Sequence, residues 1–502
     1  MHAPNKFMRR LLAAVLATAG AATTQAHADA LSDDAAASSG KLLHKPARVM
    51  LGVEQIALPG NESMGMLGTT YLLQVTPGLY LGPAAYGAIA GQRGGFFTAG
   101  AELAWQQNLY SRLEVQAGLY AGGGGGGPST VGGGLMLRPH LDLLWNFGPS
   151  RAGVSASSVR FPGGIINSRQ IGLVFSAASD FAYTTPDQVG LWLDTPDRHG
   201  VGFDRVLATV GSYRPSTGAV SNSIGYAGMR MEHFFTRSLY WGIEAAGAAS
   251  GNASGYAEFL GTLGAETPLW DDKLALGARL AIGMGGGSAA LVSVGGGQLD
   301  KLGAYATAHL SHAAHLSVES GYATASSGKF RARYGSVNFT WDLDHPYASG
   351  SRAIIAGNEW AIGAEHYSAA LHKDGSHSSL DAVTLKLNRY LNHAVYLTGQ
   401  AHSAYRGSSG GYSAGLVGAG WRTQTFSGGV SAAAEMLIGA AGGGLVDTRG
   451  GAIVQAMVYL GMDIGQQAGV KLGAGRIKSL NGALSSNVLG VSADFLFGTG
   501  SR

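Results

Sequence analysis

The sequence predicts an all-β chain: a transmembrane antiparallel β-barrel of about 24 strands, built from three tandem eight-strand repeats. Three observations predict it. One strand pattern is written three times. The chain is apolar on average but never apolar in a long row. Strict two-fold alternation recurs along its length.

The repeat is the strongest of these. LYLGPAAYGAIAGQRGG (Leu79–Gly95) returns as LYWGIEAAGAASGNASG (Leu239–Gly255) and as VYLTGQAHSAYRGSSGG (Val395–Gly411). Tyr80, Tyr240 and Tyr396 coincide, as do Gly91, Gly251 and Gly407. The spacing, 160 and then 156 residues, is far beyond the roughly 20–50 residues of a solenoid repeat. Each copy has the size of a whole antiparallel sheet.

Composition narrows the class. Charged residues are 13%, against roughly 25% in a typical soluble domain. Cysteine is absent, which removes disulfide and thiolate chemistry. Glycine is abundant, 81 of 502 residues, without a collagen period. After the N-terminal region no run of about 18 apolar residues appears, so no membrane helix is expected. The formal charge of +3 offers no case for nucleic acid.

Taken in order, residues 1–28 read as a signal peptide. Lys6, Arg9 and Arg10 form a basic region, Leu11–Ala22 a short apolar run, and Ala26-His27-Ala28 a cleavage site. Residues 29–47 follow as a short periplasmic segment, too short for a plug domain. The first repeat, 48–178, divides into strands near 48–58, 65–75, 79–90, 95–106, 111–121, 134–146, 151–160 and 168–178. Leu113, Val115, Ala117 and Leu119 on one face oppose Glu114, Gln116 and Gly118 on the other; period two is a strand signal. Residues 179–204, with Thr185-Pro186 and Thr195-Pro196 as breakers, read as a linker or a plug segment. The second repeat spans 205–344. Leu274, Leu276, Ala278, Leu280 and Ile282 alternate there with Lys273, Gly277 and Arg279. A hinge, 345–352, leads to the third repeat, 353–497, where Val430, Ala432, Ala434, Met436 and Ile438 form one face. Tight polar turns alternate with longer Gly-rich loops, which places the tight turns in the periplasm and the loops outside the cell.

Signal peptide, alternation, aromatic strand ends and the last strand, NVLGVSADFLF (Asn487–Phe497), together resemble Gram-negative outer-membrane β-barrel proteins as a class. The resemblance implies an outer-membrane location, surrounding lipid and delivery by the barrel-assembly machinery. The chain departs from the usual terminal strand at Ser492 and in the trailing Gly498–Arg502.

Motifs for specific chemistry are sparse. Gly122–Gly127 is followed by Pro128-Ser129 rather than by a helix and lysine, unlike a phosphate-binding loop. His309, His312 and His315, and the group His366, His372, Asp374 and His377, are the two histidine clusters to weigh as metal sites. His402-Ser403 and His377-Ser378 are the serine–histidine pairs to weigh for lipid hydrolysis, without an evident orienting acid. The reading is a non-enzyme, with no metal or other cofactor.

Inward positions are mostly Gly, Ala, Ser and Thr. The charged candidates for the lumen wall are Glu102, Glu114, Arg138, Asp142, Glu244, Glu258, Arg279 and Glu435; no aromatic ladder marks a sugar slide, although Tyr86, Tyr226 and Tyr256 could contribute to one. Eight-strand barrels must fill their interiors with side chains, and such small residues suit a wide, wet lumen instead. The expectation is therefore one wall, with three separate eight-strand barrels as the competitor. A wide lumen implies a pore for bulky polar cargo, an exported polysaccharide or polypeptide, or a diffusion channel. Its alternatives are a non-conducting surface or scaffold barrel filled by a periplasmic or lumenal partner, and a lipid-modifying enzyme.

Overall fold

The computed structural model describes residues 40–126, 131–194, 198–220, 222–270, 273–287, 291–345, 352–426 and 428–502. Residues 1–28, read from sequence as a signal peptide, and most of 345–352, read as a hinge, lie outside them. No helix among the described residues is long and apolar enough to cross a membrane.

The first unit consists of β1 (Leu43–Leu58), β2 (Glu62–Thr76), β3 (Leu79–Ala90), β4 (Phe97–Tyr110), β5 (Leu113–Gly125), β6 (Met136–Asn146), β7 (Ser150–Arg160) and β8 (Asn167–Tyr183). A short strand, β9 (Trp192–Asp194), follows. The second unit holds β10 (Arg205–Thr217), β11 (Ile224–Phe234), β12 (Leu239–Ser250), β13 (Ala257–Leu269), β14 (Leu274–Gly286), β15 (Gln298–His309), β16 (Ala314–Ala325) and β17 (Arg331–Asp342). The third holds β18 (Arg352–Leu371), β19 (His377–Tyr390), β20 (Val395–Gly407), β21 (Ser413–Arg422), β22 (Val430–Gly442), β23 (Ala452–Asp463), β24 (Ala468–Ser479) and β25 (Ser485–Ser501). The eight-strand repeat and its alternation are therefore real.

The single wall is not. β1 pairs with β8, from Leu43↔Tyr183 to Glu54↔Gly172. β10 pairs with β17 and β18 with β25, so each unit closes on itself. Closure satisfies the strand edges within a unit, as lipid requires, except at the Arg352–Ile354 start of β18, which pairs with β9.

Register explains why small inward residues did not mean a wide lumen. Gly68 lies opposite Tyr86, Gly211 opposite Tyr226, Gly277 opposite Tyr305 and Gly420 opposite Tyr396. In each pair the tyrosine ring occupies the space a Cβ on the glycine would need. The glycines are seats for rings, and the rings fill the bore. Tyr120, Tyr213, Tyr226, Tyr256, Tyr367 and Tyr396 are all fully buried.

Outward positions are apolar and bare: Leu141, Leu173, Leu276, Leu302, Leu460 and Leu489 are all exposed. On a barrel with a polar interior this inversion fits a hydrocarbon surround. An even strand number puts both ends of every unit at one end of the molecule, the base. The Gly-rich loops lie at the other end.

Of the 179–204 stretch, residues up to Tyr183 belong to β8, residues 184–194 pack on the third barrel's base, and Asp204 bonds to Glu232 of the second. β9 pairs with Arg352–Ile354 of β18, and Thr184 and Gly498 exchange backbone hydrogen bonds of 2.9 and 2.8 Å. Beyond Phe497, β25 continues to Ser501, and the Arg502 guanidinium reaches Asp344 beside the second barrel at 2.7 Å. Phe181, Tyr183, Trp360, Phe495 and Phe497 cluster where the first and third barrels meet at the base. The second and third barrels, joined by residues 345–352, are themselves in contact, β12 against β22.

Candidate functional site: the ion-paired barrel interiors

All eight charged lumen candidates are buried within closed barrels. Inward parity puts them there: on β11, Arg230 and Glu232 face in while Met229 and Met231 face out.

In the first barrel, Arg138 grips Glu54 through Nε (2.8 Å) and Nη2 (3.1 Å). The Tyr86 hydroxyl donates to Glu102 at 2.8 Å. His140 stands between Glu102 (3.2 Å) and Asp142 (3.0 Å). Glu114 lies apart, held by Arg48 at 2.5 Å and Arg151 at 3.0 Å. A cavity of about 20 Å³ remains between Glu54, Tyr86, Glu102, Arg138, His140 and Asp142, room for about one water.

The second barrel is the most charged. Arg279 bridges Glu244 (2.8 Å) and Glu319 (2.7 Å), and Lys301 bridges Glu244 (2.7 Å) and Glu258 (2.9 Å). Arg230 joins Glu232 at 2.8 Å and Glu319 at 3.3 Å. Tyr213 and Tyr256 donate to Glu258. Burying charges costs several kcal/mol per ion unless each is paired and hydrogen-bonded, and this network supplies both.

In the third barrel, Glu435 accepts from Tyr396 (2.9 Å), Gln400 (2.8 Å) and Tyr459 (2.9 Å). Lys386 donates to Tyr459 at 2.6 Å and lies 3.5 Å from Glu365. Lys471 pairs with Glu359.

The structure thus joins Glu102 with Asp142 and Arg138, and Glu244 with Arg279 and Glu258. It keeps Glu114 and Glu435 in networks of their own. Sequence reasoning missed Glu54, Arg230, Lys301, Glu319, Lys386 and Glu359, although inward parity beside the residues it chose would have found them. The inward tyrosines pack on one another: Tyr226 stacks on Tyr213 at 4.7 Å.

The other motifs disperse. His309 and His315 face each other across β15 and β16, with rings 4.4 Å apart, and His315 binds Asp342 at 2.6 Å. His366 pairs with Asp381 at 2.6 Å. Asp374 accepts two hydrogen bonds from Ser376, which hold its carboxyl below the ordinary range. No group of three or more metal-ligating side chains converges among the described residues. His402 is buried within the barrel against Tyr367, while Ser403 meets Ser413. Ser378 approaches His372, not His377, at 3.1 Å, and the other ring nitrogen faces Ser376 Oγ at 3.4 Å rather than a carboxylate.

No protein-family model matches the chain, and no curated protein matches it. Among solved structures it is similar to Pseudomonas aeruginosa OpdQ, with 10% identity over 91% of this chain and 98% of that one, at a TM-score of 0.22. Acinetobacter baumannii OccAB3 gives 11% identity, 91% and 99% coverage and a TM-score of 0.23. The outer membrane protein OpdK of Pseudomonas aeruginosa gives 11% identity, 91% and 99% coverage and a TM-score of 0.22.

Proposed function

We propose that this protein is a porin-like barrel protein of the bacterial outer membrane whose three eight-strand interiors are filled by ion-paired side chains, so narrow that nothing larger than water and small ions passes. The observation that carries the reading is the second barrel, where Arg230, Arg279 and Lys301 meet Glu244, Glu258 and Glu319 across an eight-strand bore. Eight strands leave an interior just wide enough for side chains, whereas aqueous channels come with about 16–18. Bulky polysaccharide or polypeptide cargo belonged to the wide single wall and goes with it. The polar inner face and apolar outer face support a membrane setting, with lipid around the chain and the barrel-assembly machinery installing it.

A second reading, a non-conducting surface barrel, is favoured by the first barrel's water-sized cavity. Its filling would come from the chain's own side chains rather than from a partner subunit. Planar-bilayer recording separates the two. The narrow-passage reading expects conductance steps well below those of a 16-strand porin, rising when Arg279→Ser removes the central cation. Silence in both proteins favours the surface barrel, and porin-sized steps from the unaltered chain overturn both.

A further inference from the structure

The three barrels meet head to tail. β3 lies against β14, β12 against β22 and β20 against β5. In every case the third strand of one unit meets the fifth strand of the next, around the ring and back to the first. Head-to-tail contacts of this kind either close into rings or run on as filaments; here they close at three.

The contact is made of glycine backbone at the loop end. Gly95, Gly255 and Gly411 follow the three third strands, with φ of +88°, +92° and +90°. Gly126, Gly287 and Gly443 follow the three fifth strands. A Cβ on Gly95 would overlap Gly287 of the second barrel. One on Gly255 would come within 3.1 Å of Gly443 N in the third, and one on Gly411 within 3.3 Å of Gly126 N in the first. Within each barrel the same six close up: Gly287 on the Gly255 carbonyl, Gly443 on that of Gly411, Gly126 on that of Gly95. They form an unbroken collar around the three-barrel axis.

A second set repeats outside it. Gly297, Gly451 and Gly134 press against the Ala88, Ala248 and Ala404 carbonyls of the neighbouring barrel, so closely that none admits a Cβ. Gly94 N donates to Gly295 O at 2.9 Å and Gly411 N to Gly124 O at 3.1 Å, both between barrels. Phe97 of the first barrel stacks on Phe259 of the second, centroids 3.7 Å apart and planes 7° from parallel.

Equivalent interior positions diverge meanwhile. Gly118, Arg279 and Glu435 occupy the same place in β5, β14 and β22 and differ in size and sign. The bores have drifted while the collar has kept its glycines three times over.

We propose that the collar is a recognition surface between eight-strand units, each carrying both halves, so that the partner fitting any unit is another unit of the same kind. The chain is a trimer of barrels written as one polypeptide, and closing the ring leaves no half of the surface free.

The test uses the full chain, with a protease site in each connecting segment, at 195–197 and 346–350, cut after folding in detergent. Native mass spectrometry should find the three fragments in one particle; release of single barrels overturns the proposal. The double variant Gly287→Val with Gly451→Val, which breaks both collar contacts of the second barrel, should on cutting release that barrel from the other two, while heat-modifiable migration reports that the barrels stay folded. Gly415→Val, at a strand position with nothing within 4 Å of its Cβ, should keep the three fragments together. If the double variant remains whole after cutting, cohesion belongs to the base contacts and the collar is not the recognition surface.

Discussion

Gly277 on β14 lies directly opposite Tyr305 on β15, and the tyrosine ring fills the place that a side chain on Gly277 would take. The Tyr305 hydroxyl reaches Glu266 at 3.2 Å, so the glycine seats a ring that in turn holds a carboxylate. Gly277→Val should destabilise the second barrel by about 1–3 kcal/mol, the usual cost of overpacking. Gly335→Val, outward on β17 with its nearest neighbour 3.7 Å away, should change little. Urea unfolding followed by heat-modifiable gel migration measures both.

Leu276 and Arg279 sit on opposite faces of β14, and both should resist change for different reasons. Leu276→Arg puts a charge into hydrocarbon, at a cost of roughly 2–4 kcal/mol near the bilayer midplane. Parity alone would lead one to expect tolerance at Arg279, as a residue facing a wet lumen. Its contacts with Glu244 and Glu319 predict otherwise: Arg279→Ala strands buried carboxylates at about 3–5 kcal/mol. Comparable folding losses in both variants would bear this out, and an unaffected Arg279→Ala would contradict the network.

Loop insertions distinguish collar from free turn. The run around Gly124 looks, as sequence, like a flexible loop fit for an epitope. In the fold Gly124 O accepts a hydrogen bond from Gly411 of the third barrel, so insertion there should reduce assembled protein. Gly375, with nothing within 4 Å, is a true turn tip. An epitope at Gly375 should leave the barrels folded and label intact cells; labelling only of opened cells would reverse the orientation.

The second and third barrels can be tied by one engineered bond. A Cβ on Gly247 would lie 3.3 Å from that of Ala440, close to the roughly 3.5–4.5 Å a disulfide spans. The chain has no cysteine of its own, so Gly247→Cys with Ala440→Cys should form a single cross-link. After cutting at 346–350, a non-reducing denaturing gel should show the flanking fragments joined. Full separation would mean the two strands do not meet.

At the base, Asp344 holds Arg502 through Nε at 3.1 Å and Nη2 at 2.7 Å. Asp344→Ala should lower the thermal midpoint, since a hydrogen bond to a charged group contributes about 1.5–3 kcal/mol. The barrels should still close, because β25 pairs with β18 from Ile354↔Ser501 to Tyr367↔Val488. An unchanged midpoint would show that the C-terminal residues do not brace the second barrel.

The sequence by itself determined the elements of this protein. Alternation marks strands such as β5 and β14 because lipid and a polar interior impose opposite demands at every second residue. The threefold recurrence of Leu79–Gly95 marked the units, and its last glycine in each copy is a collar residue. What only the tertiary structure decided was which strand each first strand would find. Pairing β1 with β8 rather than with β25 is a choice between partners distant along the chain, and local periodicity is the same in both. Bore width followed from that choice and from register. Gly68, Gly211 and Gly277 read as empty space until Tyr86, Tyr226 and Tyr305 are seen opposite them. Glu244 and Arg279 likewise read as pore lining until closure at eight strands brings them to 2.8 Å.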